Sequence, residues 1–170
     1  PTYAHIPPAG GAALEARVAN MVEGITILDE QGEILPVVLE ILSLVADADI
    51  GVETGHLSPK ESKALVKAAK EAGVRRIWQT HANWRKLFDY SIDDLTQLAD
   101  AGAFIELTAN YAMSSLATDN TSEGAVYTAE IIRAVGPGRC TMGSDLGTAG
   151  RYNPVEGMRV FARTMMSQGV

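Results

Sequence analysis

Ile50-Gly51-Val52-Glu53-Thr54-Gly55-His56 is the stretch that decides how this chain is read. A short strand-like run ends on a histidine, and related runs recur downstream. They are Arg76-Ile77-Trp78-Gln79-Thr80-His81, Ala103-Phe104-Ile105-Glu106-Leu107-Thr108 and Cys140-Thr141-Met142-Gly143-Ser144-Asp145. Each ends on a polar or acidic residue, and helix-like segments lie between them. In a barrel of alternating strands and helices the strand ends converge on one face, and that face holds the chemistry. His56, His81 and Asp145 arriving there together suit a divalent metal and a water it activates.

The intervening segments carry their own signals. Ser58-Pro59-Lys60-Glu61 joins an N-cap Ser, a Pro at the first helical position and a Glu placed for a capping box. The helix it opens presents Leu65, Ala68, Ala69 and Ala72 and stops at Gly73. Ser91-Ile92-Asp93-Asp94 opens a similar helix that buries Leu95, Leu98 and Ala99 and stops at Gly102. A third spans about Glu123 to Val135, with Val126, Ala129, Ile131 and Ile132 apolar, before Gly136-Pro137-Gly138. Upstream, Gly24 to Leu28 reads as a strand closed by the turn Asp29-Glu30-Gln31-Gly32, and Leu35 to Ala46 as a helix. Ala12 to Met21 reads as a short helix after a Pro- and Gly-rich loop. Pro154 opens a final helix through Val160, Phe161 and Met165.

Strands alternating with helices imply parallel pairing with helices outside, and short runs apolar on both sides suit parallel strands. Five strand–helix units are fewer than a complete eight-unit barrel of about 250 residues needs. The expected fold is α/β, a partial (β/α)8 TIM-type barrel comprising about strands four to eight. Residues 1–170 are expected to form a single domain, the C-terminal part of a longer barrel. The alternative is a natural half-barrel that pairs with another chain.

Composition narrows the class. Apolar residues make up 46% and charged residues 21%, as in ordinary globular domains, and the formal net charge is −7. Interspersed acid and base with that balance argue against nucleic acid or an anionic membrane as partner. No apolar stretch is uninterrupted for the length of a bilayer. Cys140 is the one cysteine, so no internal disulfide forms, and the cytoplasm is the expected location.

Alternation along a strand places Thr54 and Val52 on the side of His56, Gln79 on the side of His81, and Gly143 on the side of Asp145. Two imidazoles and a carboxylate accept zinc, and also iron or manganese. Asp145 lies in Gly-Ser-Asp-Leu-Gly, which also suits an Asx-turn, and Asp29 reads as a turn residue. Glu106 is an acid in an apolar strand, suited equally to a supporting or substrate role and to an ion pair with an Arg. His5 reads as solvent-facing. Cys140 reads as core rather than as a nucleophile. No Gly-x-Ser-x-Gly elbow and no Walker-type loop is present.

Thr54-Gly55-His56-Leu57-Ser58, Thr80-His81 and Gly143-Ser144-Asp145-Leu146-Gly147, in that order, resemble the second half of an amidohydrolase-superfamily barrel. The branch resembled is that of uncharacterised metal-dependent hydrolases, over about Gly24 to Gly169. In that superfamily the fifth and sixth strands end in a metal-binding His and the eighth in Asp. Counting the strand of Ile25 as the fourth puts His56, His81, Glu106 and Asp145 on the fifth to eighth. The resemblance implies a divalent metal, Zn2+ before Fe2+ or Mn2+, held by His56, His81 and Asp145. It implies that metal-activated water cleaves an amide, ester or lactone bond of a small molecule, with Asp145 shuttling the proton. Asn83, Trp84 and Arg85 after His81, together with Glu106 and with Tyr111 in the loop from Asn110 to Ser122, are the candidate substrate contacts. Trp84 and Tyr111 suit packing against a ring, and Arg85 suits a carboxylate. The superfamily's first-strand His-x-His pair has no counterpart, since His5 does not match it, and Asp29 and Glu30 are poor matches to the bridging fourth-strand residue. The resemblance therefore implies a missing N-terminal barrel half, in the same or another chain, and homo-oligomers. It covers metal-dependent decarboxylases as well. A non-catalytic, barrel-completing subunit is the alternative from a different class.

Overall fold

The structure, a computed structural model, describes residues 25–113, 121–147 and 150–170. In chain order these form α1 (Pro36–Asp47), β1 (Val52–Glu53), α2 (Pro59–Glu71), β2 (Ile77–Gln79), α3 (Arg85–Phe88) and α4 (Ile92–Asp100). They continue with β3 (Phe104–Thr108), α5 (Ala109–Ala112), α6 (Thr121–Val135), β4 (Cys140–Gly143) and α7 (Pro154–Ser167), with a 3-10 turn at Pro137–Arg139. The strands form one parallel sheet in the order β1-β2-β3-β4.

Local chemistry starts and stops the two best-defined helices. In α2 the Ser58 hydroxyl accepts the Glu61 N–H at 3.3 Å, while the Glu61 carboxylate accepts the Ser58 N–H at 3.1 Å. Ser91 and Asp94 repeat the reciprocal pair at α4. Both satisfy amides that a helix start leaves without carbonyl partners. Both helices then run out into a glycine in left-handed backbone, Gly73 at φ +89° and Gly102 at φ +105°, where a Cβ would clash with the following carbonyl.

The two sheet faces differ. Ile77, Gln79, Ile105 and Leu107 are buried, in a core shared with Val66, Leu95, Leu98 and Ile131 of the helices. Pairing in register places Glu53 beside Trp78 and Trp78 beside Phe104 on the opposite face, with Glu106 beside Thr141 further along. This face is only partly covered. Trp78 and Phe104 stack there at 5.8 Å, and the Arg139 guanidinium lies 5.6 Å over the Phe104 ring.

Two sequence expectations change. Gly24–Leu28 was expected as a strand of the sheet. The described residues 25–28 form only isolated bridges, and Leu28 pairs antiparallel with Ile34. The turn at Asp29 folds the chain back on itself, with Asp29 Oδ1 accepting the N–H groups of Gln31 and Glu33 at 2.9 Å each. Secondly, Gln79 does not share a mouth-facing side with His81. It is fully buried in the core, and His81 adopts φ +32°, which breaks the strand alternation. The expected helix over Ala12–Met21 and His5 lie outside the described residues. No helix among the described residues is long and apolar enough to cross a membrane.

Candidate metal centre

Two threonines clasp the ends of β1 and β2. Thr80 N–H donates to Thr54 Oγ1 at 3.2 Å, and Gly55 N–H donates to Thr80 Oγ1 at 3.1 Å. The residues that follow are His56 and His81, and the clasp brings their rings together. Their Nε2 atoms lie 3.1 Å apart, with ring centroids 4.9 Å apart and planes inclined by 26°. Phe88 stacks on both, nearly parallel to His81 at 5.4 Å. Trp84 meets both edge-on, and Tyr111 meets His81 edge-on. Trp84 and Tyr111 stack on each other at 4.2 Å and 15°. The carbonyl of Leu57, next to His56, accepts from Tyr90 at 2.9 Å.

Burial is the main reason the His81 imidazole stays neutral, with its pKa pushed down to about 4. The neighbouring His56 adds to this, and the negative charge of Asp145 opposes it. His81 Nδ1 is buried without a hydrogen-bond partner among the described residues. One Nε2 donates to the other across this 3.1 Å contact, the direction being set by which ring carries its proton there. Nitrogens bonded to one zinc at about 2.0–2.1 Å in tetrahedral directions stand roughly 3.3 Å apart. The 3.1 Å spacing of the histidine pair is close to that value.

Asp145 stands near the pair without joining it. It is exposed and has left-handed backbone at φ +48°. Its carboxylate accepts from Asn110 Nδ2 at 3.2 Å. Burial raises the Tyr111 pKa well above the usual phenol range, and the charge and hydrogen bonding of Asp145 raise it further. Among the described residues no group of three or more His, Cys, Asp or Glu side chains is assembled to hold a metal. The chain thus presents two assembled nitrogens and a carboxylate within electrostatic reach.

Glu106 reaches the His81 backbone from β3. Its Oε2 accepts the His81 backbone N–H at 2.9 Å. Burial raises its pKa, the His81 N–H opposes that, and Glu53 and Asp145 raise it further.

Two candidate substrate contacts are occupied elsewhere. Asn83 is buried, donating to the Thr108 carbonyl and the Thr128 hydroxyl and accepting the Thr108 N–H, each at 3.0 Å. It holds the fold rather than facing a ligand. Arg85 is exposed and lies 5.3 Å over the Tyr127 ring. Sequence reading missed Phe88 and Asn110. The one signal for Asn110 was its place two residues beyond the end of the β3 pattern at Thr108.

Comparison with curated proteins and with solved structures gives no match. Residues 3–106 match a family of unknown function, DUF6282. That span includes His56, His81 and Glu106, while Asp145 lies beyond it. This chain belongs to the DUF6282 family.

Proposed function

We propose that this chain carries part of the active centre of a metal-dependent hydrolase of amidohydrolase type, on a portion of a (β/α)8 barrel. The observation that carries the reading is the 3.1 Å approach of His56 and His81 Nε2 from the ends of adjacent parallel strands. Sequential strand order with helices against one face supports the barrel portion.

In this reading His56 and His81 hold a divalent metal, zinc before iron or manganese, and Asp145 completes the set. A metal held there supplies a Lewis acid that brings the pKa of water toward neutrality. Asp145 accepts and returns a proton at its carboxylate, which Asn110 orients from one side. The Trp84–Tyr111 stack offers a flat apolar surface beside the histidines for the ring or acyl portion of a small substrate. Amide, ester and lactone carbonyls are the substrate class.

The test pairs metal titration with hydrolysis. Zinc, cobalt and manganese are titrated into chelator-treated protein by calorimetry, and a panel of amides, esters and lactones is then assayed with and without metal. Saturable binding near one metal per chain with metal-restored hydrolysis is the expected result. No binding by the protein, or hydrolysis unchanged by chelation, overturns the reading.

A further inference from the structure

We propose that Glu106 is a positioning residue that sets the His81 ring against His56, and that Gly143 is glycine to make room for it. The functional weight of this rests on reading His81 as a metal ligand, but the geometry stands without a metal.

His81 must leave the line of β2 to reach His56. It does so through left-handed backbone at φ +32°, a conformation that an imidazole-bearing residue holds only when its surroundings fix it. β3 fixes it with two bonds from one residue. The Glu106 carboxylate accepts the His81 N–H at 2.9 Å, and the Glu106 carbonyl accepts the Ala82 N–H at 2.8 Å. The first replaces the main-chain partner that a regular strand would have supplied. A charged acceptor on a backbone N–H is shorter and stronger than a neutral one.

The other carboxylate oxygen, Oε1, leans over β4. A Cβ built on Gly143 would stand 2.7 Å from it, closer than real Cβ contacts come. A side chain at 143 would therefore make the carboxylate shift from the place where it accepts the His81 N–H. One acid on β3 and one missing side chain on β4 make a single brace across three adjacent strands. This explains an acid within an otherwise apolar strand better than an ion pair with arginine, for which the structure shows no partner among the described residues.

The test is a mutant cycle read on metal-free protein by NMR of histidine labelled with 15N and 13C, followed by cobalt titration of the same samples. Glu106→Ala is expected to move the His81 imidazole signals and to weaken cobalt binding by about 10-fold or more, as loss of a supporting partner typically does. Glu106→Gln keeps an acceptor and is expected to restore most of both. Gly143→Ala is expected to reproduce Glu106→Ala, and the double variant to be no worse than the worse single variant. Gly143→Ala retains the acid and gives the reading where Glu106→Ala does not fold. His81 signals unmoved in Glu106→Ala or Gly143→Ala, or effects that simply add, overturn the proposal. If the signals behave as expected but wild-type protein binds no cobalt, the brace stands and the metal reading falls.

Discussion

Asn83 engages both backbone polar groups of Thr108, donating to its carbonyl and accepting its N–H at 3.0 Å each. The side chain substitutes for a strand residue where β2 has already ended. Asn83→Ala leaves two buried backbone groups of β3 without partners, which costs roughly 2–4 kcal/mol. Chemical denaturation is the check, and a loss below about 0.5 kcal/mol would show that the bonds are replaced by water. Asn83→Asp keeps the acceptor but sets a buried carboxylate oxygen against the Thr108 carbonyl, so at neutral pH it is expected to be at least as destabilising as Asn83→Ala.

His56→Ala and His81→Ala should each weaken zinc or cobalt binding by more than the roughly 10–100-fold that loss of an outer partner costs. Calorimetry with chelator-treated protein measures it. His5→Ala serves as the control and is expected to leave affinity unchanged.

Gly124 lies against α5, and a Cβ there would stand 2.6 Å from the Tyr111 carbonyl oxygen. That atom is backbone and has little room to yield. Gly124→Ala is therefore expected to cost about 1–3 kcal/mol by overpacking, despite alanine's better helix propensity. It should also shift Tyr111 against Trp84, visible as a change in near-ultraviolet circular dichroism. A stabilised variant would mean that α5 and α6 slide freely.

Glu61 supplies the pH dependence. Burial disfavours its charge, but hydrogen bonds from the Ser58 hydroxyl and N–H and from the Thr26 hydroxyl win, holding the carboxyl below its ordinary value of 4.5. A folded pKa below the unfolded one means that the ionised carboxylate stabilises the fold above pH 4.5. That contribution is lost as pH falls through the folded pKa. Wild type should therefore exceed Glu61→Gln by a constant margin above pH 5, and the margin should shrink in acid. Denaturation midpoints of the two proteins across about pH 3–7 decide it, and a margin independent of pH would assign the effect to shape alone.

Legibility in the sequence followed the range of each signal. Ser58 with Glu61, and Ser91 with Asp94, are pairs three residues apart, so their capping boxes could be read directly and both formed. The four parallel strands could be read because their apolar runs sit between those helices. Gly24–Leu28 had the composition of a strand, but its pairing with Ile34 depends on which way the Asp29 turn folds the chain, and composition does not carry that. The order of His56 and His81 along the chain suggested the pair, whereas their 3.1 Å approach depends on the Thr54–Thr80 clasp and the φ of His81. Asn83 was misread because a polar residue in a loop looks solvent-facing until the strand that buries it is in place. Asn110 and Gly143 act across strands, beyond the reach of any local pattern.

The left-handed turns at His81 and Asp145 constrain how this scaffold can be altered. Branched or bulky side chains at either position would force the backbone out of place as well as removing the donor group. Asn, Asp and Gly fit that backbone with the least disturbance. Directed evolution at these two sites therefore samples a short alphabet first, and libraries built on those residues will keep the strand ends intact while changing the chemistry they present.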